Sequence, residues 1–126
     1  MSYRERGLVH GFAIDTAETE DIKIGEIVAV QADGEVLKTV SRNGFAYYPV
    51  VENSAVGCNV ASAQLTGVAK VRIVDGTTVN PGDVMVVDTA EARAIVGAVA
   101  DKTAAIYLGV ALEAGDGVHV PVLLGR

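Results

Sequence analysis

Ile22-Lys23-Ile24-Gly25-Glu26-Ile27-Val28-Ala29-Val30 and Val79-Asn80-Pro81-Gly82-Asp83-Val84-Met85-Val86-Val87 share one pattern. Each runs apolar residue, two further residues, glycine, acid, then four apolar residues. The physical reading is local. Glycine admits the backbone angles of a tight turn, and the acid accepts hydrogen bonds from turn amides just before the chain enters the core. The apolar run that follows is short and uninterrupted, as in a buried strand. Two short copies mark a reused way of starting a strand, not a solenoid, which needs several repeats at a fixed period.

Working outward, short strands alternate with turns. Ala32-Asp33-Gly34-Glu35 reads as a hairpin turn and Val36 to Val40 as its return strand. Asn43-Gly44 repeats that turn chemistry. Phe45 to Val51 is β-rich, with Pro49 marking an edge or a bend. Residues 52–65 lack a clean period and read as loop, with room for one helical turn. Gly67 to Val74, Val84 to Val87, Tyr107 to Leu112 and Val118 to Leu124 read as strands, the last two joined across Ala114-Gly115-Asp116-Gly117. Ala90 to Ala100 fits a helix by alanine content and a strand by Ile95, Val96 and Val99; its β surroundings favour strand. A second echo pairs Thr66-Gly67-Val68-Ala69 with Leu108-Gly109-Val110-Ala111. Gly25, Gly67, Gly82, Gly109 and Gly117 are expected where strands begin. The fold class is therefore all-β: a small single-domain barrel or sandwich of short strands.

Composition sets limits on what this domain does. Half of the 126 residues are apolar, 22 of them valine and 18 alanine, and the net charge is −6. The length suffices for one core. Disorder is excluded by the apolar content, and no apolar run approaches a transmembrane span. The first residues do not form a signal-peptide core. Ten scattered basic residues give no patch for nucleic acid. Seven acids lie between Asp15 and Glu35 (Asp15, Glu18, Glu20, Asp21, Glu26, Asp33, Glu35), and they read as a solvated face because their spacing is not that of a calcium loop.

Candidate chemistry is thin. Asp15-Thr16-Ala17-Glu18 and Asp88-Thr89-Ala90-Glu91 share a tetrapeptide. The paired carboxylate loops of aspartic proteases carry Gly where both copies have Ala, so these read as turns. His10 and His119 have no Cys or carboxylate at zinc spacing; His119 reads as a surface or interface residue. Cys58 has no base nearby in sequence and no disulfide partner. Gly76 to Val84 is similar to the hairpin of lipoyl and biotinyl carrier domains, yet neither Lys70 nor Lys102 has the surroundings of a carrier lysine. No catalytic, metal or cofactor-binding residue is assigned.

The remaining reading is assembly. Residues 1–21 differ from the body at 22–126 and read as an N-terminal arm or edge segment. Tyr3, Arg4, Arg6, Leu8 and Phe12 mix aromatic, cationic and apolar side chains in the manner of an interface.

The second half carries a resemblance. Leu65-Thr66-Gly67-Val68-Ala69, Gly76-Thr77-Thr78-Val79-Asn80-Pro81-Gly82-Asp83-Val84, Tyr107-Leu108-Gly109-Val110-Ala111-Leu112 and Gly117-Val118-His119-Val120-Pro121-Val122-Leu123-Leu124 occur in that order. The order resembles the head decoration, or capsid cement, proteins of tailed bacteriophages. It covers positions 65–126; Ile22 to Val30 resembles the family's first glycine-containing strand start. The resemblance implies a small β-barrel, without catalytic residues or cofactors, that binds the outside of the expanded head. It implies the major capsid protein and two further copies of the chain (a homotrimer) as partners, no nucleic acid or membrane, manufacture in the host cytoplasm and residence on the virion surface. Tyr47-Tyr48-Pro49 and the 52–65 loop have no counterpart in that pattern, so Tyr47 and Tyr48 are expected at a capsid or trimer contact. A carrier-like module binding a small molecule or protein partner is the alternative.

Overall fold

A computed structural model describes residues 7–38, 46–88, 90–104 and 106–125. Tyr3, Arg4, Arg6 and the Asn43-Gly44 turn lie outside the described residues.

Among the described residues, ten strands form three antiparallel sheets. They are β1 (Val9–Ala13), β2 (Ile27–Val30), β3 (Val36–Lys38), β4 (Ala46–Pro49), β5 (Val60–Gln64), β6 (Gly67–Arg72), β7 (Val84–Asp88), β8 (Arg93–Val96), β9 (Tyr107–Ala111) and β10 (His119–Leu124). A 3-10 turn, Val99–Thr103, links β8 to β9. The sheets have strand orders β1-β5, β3-β2-β4 and β6-β10-β9-β7-β8.

The three-stranded sheet lies between two cores, and β2 shows why its sequence is apolar at every position. Ile27 and Ala29 face a core shared with Val71, Ile73, Met85, Val87, Val120 and Val122 of the five-stranded sheet. Val28 and Val30 face a smaller core with Val36, Val50, Ala61 and Ala63. A strand buried on both faces has no polar side to alternate with. The sheets around the smaller core meet through single bridges, Val50 to Ala63 and Ile14 to Val36. The architecture is therefore sandwich-like and not a closed barrel.

Both copies of the repeated strand start fold alike. Gly25 and Gly82 adopt φ of 85° and 89°. The Lys23 amide donates to Glu26 Oε1 (2.9 Å) and the Asn80 amide to Asp83 Oδ2 (2.8 Å). Each acid's own amide returns a bond, Glu26 to the Lys23 carbonyl and Asp83 to the Asn80 carbonyl. The Asp-Gly hairpin joins β2 and β3, closed by Gln31 N–H donating to the Glu35 carbonyl (2.8 Å). Pro49 sits on β4, an edge of its sheet.

The second echo has a structural meaning that the linear pattern did not disclose. β10 lies between β6 and β9, with Val122 opposite both Ala69 and Ala111, and Leu124 opposite both Gly67 and Gly109. Small residues on both sides make room for the larger β10 side chains.

Three expectations are corrected. Residues 60–64, read as loop, form β5, because Ala61 and Ala63 bury one face while β1 supplies the hydrogen-bonding partner. The stretch 90–100 is strand only over Arg93–Val96 and then passes into the 3-10 turn. Gly109 does not begin a strand: it is inside β9, where a Cβ would fall on the Leu123 carbonyl. Close backbone approach, not turn geometry, is what requires glycine there. Val9–Ala13 is a paired strand from which Phe12 and the following Ile14 pack on the smaller core.

Candidate functional site

Three surface features are built from side chains of chemical interest. The first is the β1–β5 ribbon. Leu8 is tied down by its backbone: its amide donates to Thr66 Oγ1 (2.9 Å) and its carbonyl accepts from the Leu65 amide (2.7 Å). Its side chain is nevertheless 60% exposed, with Val9 at 48% and Val60 at 55%. Leu8 precedes β1, and within the ribbon strand periodicity sets the faces. Phe12 and His10 share the face of Ala61 and Ala63, whereas Val9, Gly11 and Ala13 share the outward face with Val60 and Ser62. Phe12 stacks on Tyr48 (ring centroids 6.3 Å apart) and meets the His10 ring edge-on at 4.6 Å. Among the described residues, β5 is the only strand paired with β1, leaving its other edge open.

The expected contact residues thus separate. Leu8 is on the exposed ribbon. Phe12 and Tyr48 are half-buried partners beneath it. Tyr47 is corrected: it is buried in the larger core, facing away from Tyr48 as adjacent strand residues must.

The second feature gathers acids from the expected solvated face. Asp15, Asp33 and Glu35 converge because Ile14 bridges Val36 and the 31–35 turn folds beside it. Asp33, then burial and Asp15, push the Glu35 carboxyl above its ordinary value. Asp15 and Asp33 each accept a nearby backbone amide, those of Ala17 and Glu35.

The third feature is a charged cleft of about 480 Å³, bordered by Glu20, Asp21, Lys23, Glu26, Lys38, Arg72 and Arg93. Glu26 and Lys38 are both buried, and Lys38 Nζ lies 3.3 Å from Glu26 Oε1 and 3.3 Å from Glu20 Oε1. It also donates to the Asp21 carbonyl (3.2 Å), so its three protons have acceptors. Arg93 reaches toward Glu26 (3.9 Å) and meets exposed Asp75 at 3.6 Å. Glu26 is thus no member of a solvated face. Sequence reading missed Lys38, Arg72 and Arg93 because each stands alone in the chain. The available signal was a cation inside an apolar strand, as in Val71-Arg72-Ile73.

His119 lies on β10 with Nε2 3.3 Å from the Ile24 carbonyl, and Cys58 is exposed in the loop before β5. Asp88 and Asp15 act as turn residues, accepting the amides of Ala90 and Ala17.

These features define an all-β, sandwich-like domain whose distinguishing surfaces are an apolar ribbon and a charged cleft. No protein-family model matches the chain, and no curated protein matches it.

Proposed function

We propose that the protein is a decoration, or cement, protein of a tailed-bacteriophage head. In this reading it binds the outer face of the expanded capsid lattice as a homotrimer and stabilises that lattice. The ribbon is the observation that carries the reading. Leu8 and Val9, at the start of β1, and Val60, on β5, present apolar surface on a two-stranded ribbon tied to Thr66, and a pre-ordered edge binds with little ordering cost. The order of strand motifs over 65–126 supplies the family resemblance. Trimeric presentation would convert one weak ribbon contact into avid binding, and preference for the expanded lattice would stabilise it by linkage.

The test is co-sedimentation with purified expanded heads and with unexpanded precursors. Binding to expanded heads, lost in the ribbon variant Leu8→Asp/Val60→Asp, is the expected result. Equal failure on both particles overturns the proposal. A second reading, a non-catalytic module that binds a small molecule or protein partner, is favoured by the charged cleft.

A further inference from the structure

The backbone groups of β1 can be assigned to its two edges one by one. Leu65 N–H donates to the Leu8 carbonyl (2.7 Å), and Ile14 N–H donates to the Asn59 carbonyl (2.9 Å). Even-numbered residues of this stretch therefore turn their N–H and C=O groups toward β5, and Val9 and Gly11 turn theirs to the opposite edge. The far end of that edge is already in use: Ile14 bridges Val36, and Asp15 N–H donates to the Val36 carbonyl (2.9 Å). Among the described residues, the N–H and C=O groups of Val9 and Gly11 have no partner. Native sheets block such edges with proline or charged side chains. The strands at the ends of the other two sheets do so, through Lys38 in β3, Pro49 in β4, Lys70 and Arg72 in β6, and Arg93 in β8. Val9-His10-Gly11-Phe12-Ala13 carries neither proline nor a fixed charge.

We infer that the open edge of β1 receives an extended segment of a partner protein as an added antiparallel strand, with a lysine or arginine at the N-terminal end of that segment. Main-chain hydrogen bonds to Val9 and Gly11 supply the docking mode. Charge selects the occupant. The edge runs from Val9 toward Ile14, and Asp15, Asp33 and Glu35 gather where it ends, with carboxylate oxygens within 4.8 Å of one another. Carboxylates this close repel one another, and an incoming cation relieves that repulsion. An antiparallel strand gives the more stable ladder and would run from this trio toward Val9, which places its first residue beside the acids. The residues that follow alternate between two faces, and those on the face of Val9 and Val60 (48% and 55% exposed) meet apolar surface. The inference rests on the ribbon being the binding surface, and it adds the chemistry of the segment bound there.

The probe is an N-acetylated, C-amidated pentapeptide in which one lysine precedes alternating valine and threonine. It is titrated into the full chain beside the same peptide with glutamate in place of lysine, and the backbone 1H–15N resonances are followed. Saturable downfield shifts of the Val9 and Gly11 amide protons are expected, with the lysine peptide binding about threefold to fivefold tighter. Glu35→Gln should reduce that preference. Val9→Pro removes one edge donor and leaves the Leu8–Leu65 bond, so binding read at Gly11 should weaken about fivefold. Absence of the shifts, equal affinity for the two peptides, or undiminished binding by a folded Val9→Pro chain overturns the inference. So does movement of the same two amides when the chain alone is diluted, which would put a second copy on the edge. Peptide binding without co-sedimentation on expanded heads supports the inference and fails only the head reading; co-sedimentation without the peptide shifts does the reverse.

Discussion

Glu26 and Asp83 occupy the same place in the two copies of the strand start, which makes them a matched pair for measuring what burial adds. Each accepts one turn amide, at 2.9 and 2.8 Å. For Asp83→Ala the loss is that one bond, about 1 kcal/mol. Glu26→Ala loses the equivalent bond and also removes the carboxylate between Lys38 (3.3 Å) and Arg93 (3.9 Å). Removing one partner of a buried pair costs about 3–5 kcal/mol, since the other charge is left buried without compensation. The lower end applies here, because Lys38 keeps Glu20 and the Asp21 carbonyl. The turn bond is lost in both variants and cancels, so the expected gap is about 3 kcal/mol, or roughly 12 °C in melting temperature for a chain of this size. Glu26→Gln, which keeps an acceptor oxygen for Lys23, should fall between them. Urea unfolding with unchanged m-values, checked by calorimetry, measures all three. Equal destabilisation by Glu26→Ala and Asp83→Ala would refute the argument that the buried ion cluster, beyond the turn, anchors this end of the sheet.

Three further outcomes follow from the geometry. Gly109→Ala should prevent β9–β10 pairing and give little folded protein, since its Cβ would fall on the Leu123 carbonyl; Gly117→Ala, whose Cβ meets nothing within 4 Å, should cost only about 1–2 kcal/mol of left-handed backbone strain. Comparable circular-dichroism melts for the two would contradict this. Asp116 accepts the amides of His119 and Val118, which hold its carboxyl below the ordinary aspartate value. A folded value below the unfolded one means that its stabilising effect is full above the unfolded value and fades as pH falls through the folded one. The amide resonances of residues 118 and 119 should therefore titrate below the usual aspartate midpoint, and a midpoint at or above it counts against the turn. Deleting residues 1–13 removes β1 and the Phe12–Tyr48 stack. It should lower the melting temperature and expose apolar surface to a hydrophobic dye, and an unchanged melt would show that β1 adds nothing to the fold.

Much of the fold was legible because its cues are short-range. In Asp33-Gly34, Gly25-Glu26 and Gly82-Asp83 the acid side chain accepts an amide no more than three residues away, so local chemistry suffices to place the turns. β5 was not legible. Val60-Ala61-Ser62-Ala63-Gln64 has weak strand character alone, and only pairing with Val9–Ala13 makes its small side chains the right size. Gly109 looked like a turn residue because nothing near it in sequence reveals Leu123 pressed against it. The ribbon was half legible: Leu8 and Phe12 belonged to the expected contact set, but Leu8 precedes β1 and is exposed, whereas Phe12 lies over Ala61 and stacks on Tyr48.

By itself, the sequence determined an all-β chain and the conformation of its two repeated strand starts, since glycine dihedrals and acid-to-amide bonds span only a turn. Tertiary structure alone decided that the two starts differ. Glu26 is buried because β3 and β8 bring Lys38 and Arg93 to it, whereas Asp83 is left with its local amide. Charges far apart in the chain acquire partners only when sheets pack, and the charged cleft exists for the same reason.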